Sequence, residues 1–289
     1  MSKAKRVIRE FRPDVIVGTG GYASFPALKM GARLGIPTAV HESNAVPGLT
    51  TRMVAKDVDR IMVSFEDSRS QYAHPERVQV TGTPVREEFL YGDREKARAE
   101  LGLDDKPLIV SAWGSLGARE MNKKIAVFMK EEARDGLFRH VHATGSYGWR
   151  WMPEYVKDLG LNLTDHPQLD MREYIYNMPQ LLAAADLMIC RAGAATISEI
   201  CASGIPCIMV PSPNVTDNHQ EKNARVLEHH GAAMVIREAD CTGESLYEAA
   251  KELLSDPERL RAMRAAARNM AVVDAAEQIY GVICQLANR

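Results

Sequence analysis

Cysteine is scarce in this 289-residue chain and poorly spaced for cross-linking. The five residues, Cys190, Cys201, Cys207, Cys241 and Cys284, are an odd number without a CxxC pair. Neither a disulfide framework nor a zinc ribbon is expected, and a reducing compartment fits. Cys190 closes the apolar run Leu187-Met188-Ile189, where a thiol serves as a small hydrophobe. A surplus of one charge is also lacking: 36 Lys and Arg meet 38 Asp and Glu, a net charge of −2. Without a basic field, nucleic acid is not an expected partner. No apolar run nears the length that crosses a bilayer, and Met1-Ser2-Lys3-Ala4-Lys5-Arg6 leads into a charged amphipathic stretch with no signal-peptide core. A protein that is soluble, or peripheral to a membrane, is expected. There is no Walker A sequence and no GxSxG elbow, and no His/Asp/Glu set has metal-ligand spacing, so no metal site is expected.

What the chain does contain is a steady alternation of short apolar runs and helical patterns. Asp14–Val17, Pro37–Val40, Arg60–Val63 and Val78–Val80 read as strands of a first series. Pro107–Val110, Arg139–Ala143, Asp186–Cys190, Pro206–Val210 and Ala233–Ile236 read as a second. Continuous apolar strands separated by helices predict parallel sheets covered on both faces. The fold class is therefore α/β, with two doubly wound Rossmann-like lobes that meet near Val85 to Leu90. The expected division is 1–87 for the first lobe, 88–268 for the second, and a C-terminal helix at 269–289 packing back on the first. A complete lobe of this type has five or six strands. The first shows about four and opens on a helix, Ser2 to Phe11, so it is expected to be incomplete, short of two or three β-α units.

Glycine-rich turns sit where strands give way to helices. Gly18-Thr19-Gly20-Gly21-Tyr22 and Trp113-Gly114-Ser115-Leu116-Gly117 share this design. Glycine lets a backbone approach a ligand, and a helix N-terminus offers unpaired N–H groups; a plain tight turn explains the same residues. The second turn lacks the full GxGxxG pattern and its acidic partner, which disfavours a nicotinamide dinucleotide. Arg191-Ala192-Gly193-Ala194-Ala195-Thr196 leads into another helix, its small side chains leaving the helix start open to a diphosphate. Glu199, just past the first turn, is placed to accept two hydrogen bonds from a ribose diol, or merely to complement the helix dipole. The loop Pro211 to Gln220 follows a strand end, with Asp217 read as an N-cap and Asn223 one turn into the next helix. His41 and Glu42 end a strand where a general base is geometrically possible. His140 and His142, and the pair His229 and His230, read as structural.

Taken in order, Gly20-Gly21-Tyr22-Ala23-Ser24, His41-Glu42-Ser43-Asn44, Gly82-Thr83-Pro84-Val85-Arg86, Gly114-Ser115-Leu116-Gly117-Ala118, Arg191 to Glu199, and Asp217-Asn218-His219-Gln220 with Asn223 closely resemble the MurG family of bacterial cell-wall N-acetylglucosaminyltransferases. The likeness covers nearly the whole chain. It implies a GT-B fold and an inverting transfer of N-acetylglucosamine from UDP-N-acetylglucosamine to the 4-hydroxyl of a muramyl sugar on undecaprenyl diphosphate, converting lipid I to lipid II. It further implies a peripheral location on the cytoplasmic face of the cell membrane and no cofactor or bound metal. Carried over by position, Ile175 and Met178 border the uracil, Glu199 holds the ribose, and Ser115, Arg191, Ala194, Ala195 and Thr196 lie along the diphosphate. His219, Gln220 and Asn223 face the transferred sugar, with Gly20, Gly21, Tyr22, Asn44 and Arg86 on the acceptor side of the cleft. Three departures stand out: His219 and Ser43 where the family usually has glutamine, and Trp113 where it usually has glycine. The family also opens with a strand and a Gly-rich turn ending in a histidine, a leading candidate for the catalytic base, and this chain has no counterpart. A UDP-sugar-binding remnant without transferase activity, or another GT-B enzyme such as a UDP-N-acetylglucosamine 2-epimerase, are the alternatives.

Overall fold

The computed structural model describes residues 1–288. Strands β1 (Ile16–Gly18), β2 (Thr38–Glu42), β3 (Arg60–Val63) and β4 (Val78–Val80) form a parallel sheet in sequential order. Strands β5 (Leu108–Ala112), β6 (Arg139–Ala143), β7 (Leu169–Arg172), β8 (Leu187–Cys190), β9 (Cys207–Met209) and β10 (Ala233–Val235) form a second parallel sheet, ordered β10-β9-β8-β5-β6-β7. Counted within their own lobe, these strands run 3-2-1-4-5-6 when read from β7 to β10, the doubly wound order. Strands β2 and β8 are buried at every residue, as parallel strands covered by helices on both faces must be.

One strand was not legible in the sequence. Leu169-Asp170-Met171-Arg172 is polar, lacks β-branched residues and buries only Leu169. It is an edge strand, ordered by its ladder to β6 and not by its own apolar pattern.

Apolar clusters flank both sheets. The second sheet carries Leu108, Val110 and Met188 on one face, and Ile109, Leu187 and Ile189 on the other. The first of these clusters also contains Ala45 and Phe65 of the first lobe, so apolar packing runs across the lobe interface. The C-terminal residues form two helices. Pro257–Asn269 packs through Ala267 on the second lobe. Ala275–Ala287 places Val282 and Leu286 against Ala39 and Met62 of the first sheet. The chain therefore crosses between lobes twice, after β4 and again at 270–274.

Candidate active site

The switch point of the second sheet lies between β5 and β8, whose successors leave in opposite directions. Loops from adjacent carboxyl ends diverge there and open a crevice, where doubly wound sheets bind ligands. A cleft of about 620 Å³ occupies this place. Trp113, Gly114 and Ser115 line it from the β5 end, and Arg191, Gly193, Thr196 and Glu199 from the β8 end.

The glycine turn after β5 is held by its neighbour. Gly117 has φ +79°, and a Cβ there would fall 2.0 Å from the Thr144 carbonyl oxygen. Gly145 approaches from the other side, where a Cβ would sit 2.1 Å from the Gly117 nitrogen. Two backbones thus touch with no side chain between them, and the Ser146 N–H donates to the Ser115 carbonyl at 3.0 Å. Beneath this turn, the Ser111 hydroxyl bridges His140 Nε2 and His142 Nδ1, each at 2.7 Å. His142 Nε2 lies 3.2 Å from Asn122 Oδ1, and the Asn122 amide donates to the Thr144 carbonyl at 2.8 Å. Burial pushes His140 down to about 3 and His142 well below its ordinary value, so both are neutral braces.

After β8, Gly193 caps the helix Ala194–Ser203. The N–H groups of the first helical turn have no intrahelical partner, and Ala194 and Ala195 have no side chain long enough to obstruct them. Neither alanine lines the cleft; Gly193 and Thr196 do. Glu199 faces it half-buried, with no hydrogen-bond partner for its carboxylate among the described residues. Burial raises its pKa, and the Arg86 charge partly opposes this. Arg86 itself stacks over the Phe89 ring at 5.2 Å.

Of the positions expected from sequence, Ser115, Ile175, Met178, Arg191, Thr196, Glu199, Gln220 and Arg86 meet in this one cleft. Arg191 lines it with a guanidinium already committed: to Glu238 at 2.6 Å, to the Val210 carbonyl at 2.9 Å, and under the Trp113 ring at 5.7 Å. Asn223 does not face the cleft. It is fully buried between the lobes, accepting from the Ala45 N–H at 2.8 Å and donating to Asn44 Oδ1 and the Ala192 carbonyl. His219 hydrogen-bonds the Thr216 carbonyl at 2.9 Å and lies outside the lining. Asp217 is not an N-cap: it has φ 57°, and its carboxylate pairs with Lys222 at 3.2 Å and Arg52 at 3.7 Å. Asn218, at φ 49°, takes the cap position because the loop enters the helix through two left-handed residues.

The first-lobe expectations resolve into structural tasks. His41 Nε2 is buried 2.8 Å from the Gly82 carbonyl, tying β2 to the turn after β4. The Glu42 carboxylate accepts from the Asn44 N–H and side-chain amide, the Gly48 N–H and the Thr51 hydroxyl, so it organises residues 44–51. Donors engage both Glu42 oxygens, whereas His41 Nε2 donates to a carbonyl and so leaves Nδ1 as the ring's acceptor. Gly20, Gly21 and Tyr22 form the strand-to-helix turn after β1 and do not line the cleft, and Tyr22 projects into solvent. Sequence reasoning missed Phe89, Tyr174 and Tyr176. The two tyrosines form an edge-to-face pair with ring centres 4.9 Å apart at the cleft rim. The available signal was a pair of aromatics flanking Ile175.

Two parallel α/β lobes, with a ligand cleft at the switch point of the second, define a protein of the GT-B type. The sequence profile of the glycosyltransferase family 28 C-terminal domain matches residues 109–279, and that of the family's N-terminal domain matches residues 1–63. The chain belongs to glycosyltransferase family 28. It is 43% identical over 284 residues to the UDP-N-acetylglucosamine–N-acetylmuramyl-(pentapeptide) pyrophosphoryl-undecaprenol N-acetylglucosamine transferase of Thermoanaerobacter sp. (strain X514), a match spanning 98% of this chain and 77% of that protein. The transferase of the same name from Acetivibrio thermocellus is 39% identical, over 98% of this chain and 76% of that one. Among solved structures, MurG of Acinetobacter baumannii superposes with a TM-score of 0.77 at 28% identity, covering 98% of this chain and 76% of that one. The UDP-GlcNAc 2-epimerase of Neisseria meningitidis superposes at 0.69 with 16% identity, over 98% and 80%, a likeness of fold alone.

Proposed function

We propose that the chain transfers N-acetylglucosamine from UDP-N-acetylglucosamine to the 4-hydroxyl of the muramyl sugar of lipid I, giving lipid II in peptidoglycan synthesis. The observation that carries this reading is Glu199: a half-buried carboxylate without a protein partner, in a cleft at the sheet's switch point. A ribose diol supplies the two donors it lacks. In this reading Ile175, Met178 and the Tyr174–Tyr176 pair border the uracil, while Ser115 and the N–H groups from Gly193 to Thr196 receive the diphosphate. As the acceptor hydroxyl releases its proton and its oxygen bonds to the anomeric carbon, the bond to the diphosphate breaks and charge moves onto UDP, whose oxygens or the surrounding water take up that proton. The helix N-terminus, fixed beforehand, stabilises that charge. His41 and Glu42 act here as positioning residues, holding Asn44 and the turn after β4 at the lobe interface. Among the described residues no helix is long and apolar enough to cross a membrane; a polyprenyl-linked acceptor puts the reaction at the inner surface of the cell membrane.

The test is titration calorimetry with UDP-N-acetylglucosamine, then a transfer assay on a lipid I analogue. Glu199→Ala removes an acceptor of two hydrogen bonds to a charged group, so affinity should fall tenfold or more. Because burial raises the Glu199 pKa, the wild-type affinity should begin to fall on acidification at a higher pH than an ordinary glutamate, at about 4.3, would produce. No binding of the nucleotide sugar would sink the reading. Binding without transfer would support a donor-binding remnant instead.

A further inference from the structure

Behind the nucleotide cleft, across the helix Glu87–Leu90, lies a second cavity of about 610 Å³. Phe89 borders both spaces. The second is basic: Arg94, Arg261, Arg264 and Arg268 line it against only Glu88 and Asp186. Three of these arginines come from the single helix Pro257–Asn269 at spacings of three and four, which puts them on one face.

Acceptors for them are short. Asp186 is already taken by Arg94 at 2.6 Å, by Arg98 at 3.4 Å and by the Leu108 N–H at 2.9 Å. Arg261 reaches only Glu258, at 3.9 Å. Arg264 and Arg268 have no hydrogen bond and no ion pair among the described residues; Arg264 is half-buried, while Arg268 is exposed. The Arg268 side chain lies against Gly204, where a Cβ would come within 2.5 Å of its Nε. Burial and the neighbouring Arg94 and Arg268 charges hold the Arg264 guanidinium below the usual arginine range, and the Asp186 charge only partly opposes them. A guanidinium carries five N–H donors in a planar fork, and withdrawing it from water without an acceptor is unfavourable. Gathering like charges in one cavity adds to that cost. What offsets both is an anion whose oxygens match the fork.

We propose that this cavity is a second anion site, taking a small molecule that bears a phosphate or diphosphate group, held by Arg264 and Arg268 with Arg94 at its wall. Ala271 and Val273 also line it, and they belong to the segment that returns the chain to the first lobe. An occupant therefore stiffens one of the two connections between lobes, and reaches the nucleotide cleft through Phe89.

The test is calorimetry of the full chain with inorganic diphosphate, with and without saturating UDP, for wild type, Arg264→Gln and Arg268→Gln. The wild type should take up diphosphate with UDP present. Each variant should bind it at least tenfold more weakly while binding UDP within twofold of wild type. Without anion, neither variant should melt below wild type, since each substitution relieves like-charge repulsion, so lost binding cannot be assigned to lost folding. Sedimentation with phosphatidylglycerol vesicles, against phosphatidylcholine as blank, separates a lipid headgroup from a soluble phosphate as the source: arginine-dependent sedimentation assigns the headgroup. Uptake that UDP abolishes, uptake equal in all three proteins, or no uptake of diphosphate or vesicles would each overturn the proposal. UDP failing to bind while diphosphate uptake still depends on Arg264 would remove the nucleotide reading and leave this site standing.

Discussion

Two glutamates of this chain are withdrawn from water to opposite ends. Glu199 keeps its carboxylate unpartnered toward the cleft, whereas Glu132 is fully buried, accepting from the Phe138 N–H at 2.8 Å and lying 3.5 Å from the Tyr247 hydroxyl. Burial pushes Glu132 up from 4.5 to about 7. A carboxyl raised in the folded state binds its proton more tightly there than in the unfolded chain, so stability falls as pH rises from 4.5 through about 7. Glu132→Gln removes that loss and keeps an acceptor for Phe138. It should stabilise the protein by roughly 1–3 kcal/mol at pH 8 and by little at pH 4, read from urea unfolding at both values. The buried histidines act with the opposite sign. His140 and His142 stay neutral in the folded state but take protons when unfolded, so they cost stability as pH falls below 6.5. Glu199 was legible in the sequence because its place relative to Gly193 and Thr196 is local. The task of His41 was not, because Gly82 lies 41 residues away, and that of Glu42 was missed although its partners Asn44, Gly48 and Thr51 are local.

Among the elements, the glycine turns separate two demands that look alike in sequence. Gly114 has φ +83° with nothing within 4 Å of a Cβ, whereas Gly117 has φ +79° with the Thr144 carbonyl in the way. Gly114→Ala should cost only backbone strain, about 1–2 kcal/mol. Gly117→Ala adds a clash with a backbone that cannot move without breaking the turn, so its cost should exceed 3 kcal/mol, with weakened UDP binding. Comparing denaturant midpoints of the two variants decides this; equal losses would mean that the turn yields. The polar edge strand β7 marks the limit of reading elements from pattern. Its ordering energy lies in the ladder to β6 and the neighbouring helices, and not in Leu169-Asp170-Met171-Arg172 itself.

At the scale of the whole molecule, Asn223 joins residues 178 positions apart. Its side chain satisfies the buried Ala45 N–H and the Ala192 carbonyl while bonding Asn44, so one amide holds the first lobe against the β8 end of the second. Asn223→Ala leaves those backbone groups without partners and should cost about 1–3 kcal/mol. Amide exchange at Asn44 and Ala45 should accelerate while exchange within β5 and β8 stays slow; unchanged protection at Ala45 would show that the lobes are held otherwise. The exposed pairs Arg52–Asp217 at 3.7 Å and His230–Asp67 at 3.2 Å span the same interface and contribute far less, being screened by solvent.

The amino-acid sequence by itself determined the alternation of strand and helix, the two-lobed parallel architecture, and the strand-to-turn-to-helix units that carry Ser115, Thr196 and Glu199. These follow from periodicity, glycine placement and helix starts within a dozen residues, where local conformational preference suffices. Only the tertiary structure decided that Asn223 bridges lobes instead of facing the cleft, that Arg191 is held by Glu238, and that Phe89 separates the switch-point cleft from an arginine-lined cavity. Those outcomes depend on which distant backbones and side chains are brought together as the sheets form and the lobes close. A partner 47 residues away, as for Arg191, or 178 away, as for Asn223, leaves no mark on the local pattern.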